Sequence, residues 1–193
     1  MLRSCCVLMT LWSLSVFAAF VPVPAEKPGG TPTGLEAQIV GYDGSTNGEM
    51  TVDVRNPTAS PLEFAAAGLY FVPTGDPETS PQRLGAVGPY QVNKQPQEKM
   101  KIPPGATVRA HLDVYCIDSH RSSPTSKTPY HLAKDRVPPT ITQAIDVEAR
   151  EVTKRTGGIS APASKGAVQG TVWKHRDHKW VPLDGESKQE SNK

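Results

Sequence analysis

The chain has 193 residues, with 21 lysines and arginines against 19 aspartates and glutamates. This near balance of charge argues against a nucleic-acid-binding role and against binding to an anionic membrane, and the length fits one domain with an appendage. With 19 prolines, 16 glycines and only 6% aromatic residues, the composition favours short strands and many turns over a helical bundle.

The N-terminus has the organisation of a secretory signal peptide. Arg3 supplies a short positive region, residues 6–20 are apolar and nearly uncharged, and Val23-Pro24-Ala25 places small residues before Glu26. The apolar run is too short and too weakly flanked to predict a membrane span. We therefore expect residues 1–25 to be removed on export and the mature protein to be secreted or periplasmic, with no membrane span.

Short segments of alternating hydrophobicity follow a flexible linker at residues 26–34. Residues 35–42 and 50–55 are strand candidates separated by the turn signals Asp43-Gly44 and Asn47-Gly48, so they predict a hairpin. Further short apolar segments with frequent turns continue to residue 137. They predict a mainly β domain over residues 35–137, with the antiparallel sandwich architecture of an immunoglobulin-like module.

The longest strand candidate is ATVRAHLDVYC, residues 106–116. Because side chains alternate along a strand, one face carries the apolar residues and Cys116 and is expected to point inward. The other face carries Arg109, His111, Asp113 and Tyr115. Cys5 and Cys6 belong to the predicted signal, which leaves Cys116 without an intramolecular partner.

Residues 138–180 are predicted to form a helical appendage. Residues 140–156 place Ile141, Ile145 and other mostly apolar residues on one helical stripe. Residues 167–173 predict a second short helix, in which Gly170 and β-branched residues weaken the helical pattern. The polar tail, residues 181–193, is expected to be disordered.

Two segments resemble signatures of the thioester domains of bacterial surface adhesins: Tyr115-Cys116-Ile117-Asp118 and Val168-Gln169-Gly170-Thr171-Val172-Trp173. Secreted bacterial proteins with a Cys-ended β-domain and a Gln-x-x-Val-Trp helix are similar in the same places. The resemblance implies a Cys–Gln thioester that acylates an amine on a target surface. It places the sulfur on Cys116 and makes Gln169 the second-motif residue. The acyl-donor glutamine of that family lies in a later motif, and Gln189 is the glutamine that follows Trp173 here.

Residue chemistry leaves two interpretations of Cys116. His120 and Arg121 follow closely, and nearby cations activate a thiol by lowering its pKa. A free cysteine is also among the residue types most often buried, and Cys116 ends a strand with an apolar face. The inert, buried interpretation is the favoured one.

Histidine spacing offers an alternative role as a metal site. Cys116-x3-His120 and His175-x2-His178 have the ligand spacing of a split four-ligand zinc site. The competing interpretation is that Cys116 faces the core and that His175 and His178, in the highly charged segment KHRDHK, are solvated. His111 and His131 are interpreted as surface residues.

No phosphate-binding loop, nucleophile elbow or metalloprotease motif is readable, so the sequence favours a non-enzymatic protein without a cofactor. The leading functional hypothesis is a secreted binding or structural module for an extracytoplasmic protein or surface ligand. Its binding loops would be residues 73–81 and 119–129, since loops on a rigid scaffold commonly carry binding. The alternatives are a thioester-like covalent adhesion domain using Cys116 and a small zinc-stabilised domain.

Overall fold

The structure is a computed structural model that describes residues 19–183 except 28, 45–46, 77–78, 87–89, 93–94, 98, 157–161 and 179–182. The described strands are β1 (Val21–Pro22), β2 (Glu36–Tyr42), β3 (Glu49–Arg55), β4 (Leu62–Phe64), β5 (Tyr70–Pro73), β6 (Leu84–Ala86), β7 (Tyr90–Val92), β8 (Gln95–Gln97), β9 (Met100–Ile102), β10 (Thr107–Cys116) and β11 (Tyr130–Leu132). They are followed by helices α1 (Pro139–Thr156) and α2 (Pro162–His178).

The described strands form two antiparallel sheets. The larger has the order β1-β2-β3-β10-β6-β5-β11, with β7 and β8 attached beside β10, and the smaller pairs β4 with β9. Tyr42 of β2 meets Tyr130 of β11 edge to face, with ring centroids 5.6 Å apart, so the large sheet curves nearly into a barrel. The mainly β class with a C-terminal helical part is confirmed, and so is the predicted β2–β3 hairpin, in which Ala37 opposes Val54.

The strand β10 is the centre of the large sheet. Its first part, Thr107 to Asp113, pairs with β3, and its last part, Val114 to Cys116, pairs with β6 on the other edge. One face contributes four fully buried residues to the barrel core: Ala110, Leu112, Val114 and Cys116. The strand therefore supports the core along its length, as the alternation of its residues predicts.

The two helices cover the outer face of β10 at its C-terminal end. Ile141, Ile145, Ala149 and Val152 recur at helical spacing on α1, and all four are buried. They form a second core with residues of α2 and with side chains of the sheet that include Tyr115. The face of β10 predicted to be polar is therefore buried at Tyr115, because helices far along the chain lie over it.

The second helix is longer than the predicted residues 167–173, since it runs from Pro162 to His178. Val168 and Val172 lie four residues apart and are both fully buried. Packing of that stripe outweighs the low helix propensity of Gly170. Among the described residues, neither helix is long and apolar enough to cross a membrane.

Candidate functional site

Cys116 occupies the end of β10, where the hydrogen-bonded ladder with β3 has run out. The backbone N–H of Val114 still donates to the carbonyl of Gly48, at 3.0 Å. On the opposite edge of β10, the N–H of Ile117 donates to the carbonyl of Arg83, also at 3.0 Å. Because bonding direction alternates along a strand, the N–H and C=O of Cys116 point to the side that β3 has left.

The side chain of Gln169 fills that place. The backbone N–H of Cys116 donates to Oε1 of Gln169 at 3.0 Å, and Nε2 of Gln169 donates to the carbonyl of Cys116 at 2.7 Å. The carboxamide thus bonds as the peptide group of a neighbouring strand would. Gln169 is 4% exposed, and this pair of bonds satisfies two backbone groups that burial would otherwise leave without partners. It fixes α2 to the sheet at Cys116.

A buried ion pair lies two residues beyond Cys116. Arg83 donates to both carboxylate oxygens of Asp118, from Nε to Oδ2 at 2.9 Å and from Nη2 to Oδ1 at 2.8 Å, and its backbone N–H donates to Oδ2 at 3.1 Å. Arg176 of α2 brings a second guanidinium to 4.0 Å from Oδ1. All three side chains are buried, so the segment after β10, the residue before β6, and α2 meet around one carboxylate.

Gln82 connects α2 with β11, the last strand of the large sheet. Its side-chain Oε1 accepts a hydrogen bond from Nε1 of Trp173 at 3.3 Å, and its carbonyl accepts one from the hydroxyl of Tyr130 at 3.0 Å. Trp173 also packs against the barrel core. We call Gln82, Arg83, Cys116, Asp118, Gln169, Trp173 and Arg176 together the junction.

The thiol of Cys116 lies in an environment that disfavours its ionisation. Its side chain is fully buried, and burial, followed by the charge of Asp118, raises the pKa of the thiol to about 12. His120 is exposed, and the charge of Arg121 helps to lower the pKa of Asp118. These observations favour the buried, inert interpretation of Cys116 over an activated thiolate.

The histidines proposed for zinc lie in different surroundings. His120 is exposed while Cys116 is fully buried, and His175 is half-buried on α2. The side chain of His178 lies outside the described part of the chain. Within that described part, no three His, Cys, Asp or Glu side chains are grouped so that they could hold a metal ion. The zinc site stays a prediction.

The structure shows a contact of Gln169 that the sequence did not predict. The resemblance implies that Gln169 belongs to the second motif and that the acyl donor lies in a later motif. Gln189, the later glutamine, lies outside the described residues. Gln169 is the glutamine whose carboxamide contacts the backbone of Cys116. One feature of the sequence could have predicted this contact. Gln169 follows Val168 on the buried side of a helix, where a glutamine needs hydrogen-bond partners.

The predicted binding loops differ in how much of them is described. The first, residues 73–81, is interrupted at 77–78. The second, residues 119–129, contains a turn in which the N–H of Thr125 donates to Oγ1 of Thr128 at 3.0 Å. Its Ser126 lies against Gly44, where an added Cβ would stand 2.5 Å from the Ser126 nitrogen. Glycine at position 44, with φ of +85°, lets the hairpin turn approach this loop.

A groove with a volume of about 1160 Å³ is lined by residues outside the junction. Its walls are the segment before β2, the connection from β11 to α1, and α1 as far as Arg150. Its lining combines apolar side chains with charges of both signs, including Glu26, Lys27, Lys134, Arg136, Asp146 and Arg150. A concave surface with a few convergent polar groups is the usual form of a ligand site.

Comparisons with protein-family models, with curated proteins and with solved structures give no match to this chain.

Proposed function

We propose that the chain is an exported, non-enzymatic module that binds an extracytoplasmic protein or surface ligand, with the groove as its binding site. The groove carries this proposal, because it is large enough for a ligand and offers both apolar surface and charges. The junction supports it indirectly. Burial raises the pKa of the Cys116 thiol, which disfavours a nucleophile there.

Two substitutions on α1 test the groove. Gln143 is exposed and lines it, whereas Val147 is 62% exposed on the same helix and does not line it. The chain and the variants Gln143→Arg and Val147→Arg would be applied to arrays of extracytoplasmic peptides and glycans. We expect binding that Gln143→Arg abolishes and Val147→Arg retains. Equal binding by both variants, or no binding by the unmodified chain, would contradict the proposal.

A covalent adhesion domain is the second candidate, and the contact between Gln169 and Cys116 is the observation that favours it. The Cys116 sulfur would attack Cδ of Gln169, forming an S–C bond and breaking the C–N bond. The amide nitrogen would leave as ammonia, taking the thiol proton. An amine on the target would then displace the sulfur, leaving an amide at Gln169 and a free thiol at Cys116.

Intact mass separates the two candidates. A thioester lowers the mass by about 17 Da, and the thiol becomes titratable only after an amine or hydroxylamine is added. The variant Gln169→Ala provides the control, since its Cys116 thiol has no acyl donor at that position. An unshifted mass with one thiol that titrates after unfolding would exclude the thioester and leave the binding module.

Within the mainly β fold, we also propose the more specific immunoglobulin-like arrangement of the strands. The turn-separated short strands support it, while the curvature of the large sheet toward a barrel supports a different closure.

A further inference from the structure

The segment just before the predicted cleavage point is built into the large sheet. Val21 and Pro22 form β1 and pair with Ala37 and Glu36 of β2. The backbone N–H of Val23 then donates to the carbonyl of Leu35 at 2.9 Å. The side chain of Val23 is 1% exposed and belongs to the barrel core. Removal of residues 1–25 would therefore take a strand and a core side chain from the fold.

Arg136 holds the next two residues of this segment. Its Nε donates to the carbonyls of Pro24 and Ala25, at 3.2 and 3.1 Å. Its Nη1 donates to the carbonyls of Ala65 and Ala67, at 2.9 and 2.7 Å. One guanidinium thus joins the N-terminal segment to the chain after β4. Without residues 24 and 25, Nε of Arg136 would lose both acceptors in a half-buried site.

The first described residues are also engaged. The ring of Phe20 lies 4.2 Å from the guanidinium carbon of Arg55, a cation–π contact, and Arg55 in turn pairs with Glu36 of β2. Contacts with the sheet and with Arg136 therefore run from Phe20 to Ala25. A leader that ends before Phe20 would leave all of them in the mature protein.

The sequence provides a second processing point upstream of these contacts. Val16 and Ala18 stand at the −3 and −1 positions of the bond between Ala18 and Ala19, two residues before the apolar run ends at Phe20. Small residues at these positions are what a signal peptidase recognises. The part of the apolar run that precedes this bond still has the length of a signal core.

We propose that a signal peptidase cleaves after Ala18, so that the mature protein begins at Ala19 and retains β1 and residues 23–25. The inference depends on the proposed export. Water hydrolyses the peptide bond, giving a carboxylate on Ala18 and an amino group on Ala19. The retained segment also forms one wall of the groove, so the position of cleavage decides whether the proposed binding site exists.

N-terminal sequencing and intact mass test the position directly. The full chain would be expressed in an exporting bacterial host and purified from the extracytoplasmic fraction. We expect the sequence to start at Ala19. A start at Glu26 would overturn this inference while leaving export intact. A chain that stays in the cytoplasm and starts at Met1 would overturn the proposed export, and this inference with it.

Two pairs of variants make the test sharper. Ala18→Tyr places a bulky side chain at the −1 position and is expected to block cleavage, whereas Ala25→Tyr is expected to leave it unchanged; the reverse pattern would overturn the inference. In the exported protein, Val23→Ala is expected to lower the urea midpoint of unfolding, while Val21→Ala, at a residue 38% exposed, is expected to shift it less. If Val23→Ala unfolds at the same urea concentration as the unmodified protein, this segment does not contribute to the stability of the fold.

Discussion

At the scale of the residue, Gln169 acts as a substitute for a strand. β3 ends its pairing with β10 at Asp113, and two more residues of β10 must satisfy their backbone groups on that side. Gly48 provides an acceptor for Val114, and the carboxamide of Gln169 provides both partners for Cys116. A long polar side chain from a helix can do this because an amide has one donor group and one acceptor, as the peptide unit has.

Substitution of Gln169 measures how much this contact contributes to the free energy of unfolding. Gln169→Ala leaves the buried N–H and C=O of Cys116 without their partner, so we expect a loss of about 2–4 kcal/mol in the free energy of unfolding. Gln169→Glu keeps an acceptor but sets a carboxylate oxygen against the Cys116 carbonyl. Its stability relative to the unmodified chain should rise as pH falls and protonation restores a donor. Urea unfolding at several pH values would check both, and an unchanged midpoint for Gln169→Ala would contradict the interpretation.

Two tyrosine hydroxyls offer a matched comparison. The hydroxyl of Tyr115 is buried in the second core and has no hydrogen-bond partner among the described residues, whereas that of Tyr130 donates to the carbonyl of Gln82. Burial is the first cause that raises the pKa of both side chains. We expect Tyr115→Phe to be neutral or to stabilise by up to about 1 kcal/mol, and Tyr130→Phe to cost about 1 kcal/mol. Thermal unfolding would check the order, and a larger loss for Tyr115→Phe would contradict it.

At the scale of the element, α2 is a helix held by packing. Gly170 is exposed in its middle, and a Cβ added there meets nothing within 4 Å. Gly170→Ala should therefore stabilise the protein by about 0.5–1 kcal/mol, because alanine loses less backbone entropy on folding.

Gly105 is the matched control for this substitution. It also has open space around an added Cβ, but its φ of +68° lies in the left-handed region. We expect Gly105→Ala to destabilise the protein by about 1 kcal/mol, since the backbone at this turn disfavours a side chain. Chemical unfolding of both variants would check the opposite signs. Destabilisation by Gly170→Ala would contradict the description of α2 as a helix with an open face at that residue.

The elements differ in how far the sequence could predict them. Alternation along residues 106–116 predicted the inward direction of Cys116, because strand geometry alone determines it. It could not predict that Tyr115, on the opposite face, is buried, because the helices that cover it lie more than twenty residues later. The contact of Gln169 with Cys116 was also beyond local pattern, since it joins residues 53 apart.

At the scale of the whole molecule, the barrel and the helices form one connected structure. The second core contains Tyr70 and Tyr115 from the sheet together with Ile145 and Val172 from the helices. The junction adds Gln169 and the ion pair of Asp118 to this shared core. Since the helices bury their apolar stripes in a core that they share with the sheet, the chain is expected to unfold as a unit.

The carboxylate of Asp118 makes the stability of the folded chain depend on pH. Burial alone would raise its pKa, but the hydrogen bonds and charge of Arg83, with a smaller effect of Arg121, hold the pKa below the ordinary value for aspartate. A group whose pKa is lowered on folding stabilises the native state above its unfolded pKa of about 3.9, and this contribution is lost as pH falls through the folded pKa. We therefore expect unfolding in acid, below about pH 4, to include the protonation of Asp118.

Asp118→Asn separates this effect from the other carboxylates. The amide leaves Arg83 charged and buried without its counter-ion, so we expect a loss of about 3–5 kcal/mol at neutral pH. Because the variant has no proton to take up at position 118, its stability should fall less steeply with pH below about pH 4 than that of the unmodified chain. Urea unfolding between neutral and acidic pH, followed by circular dichroism and tryptophan fluorescence, would measure both. Equal slopes for the two proteins would show that Asp118 does not carry the acid sensitivity, and separate transitions in the two signals would show that the helices unfold apart from the barrel.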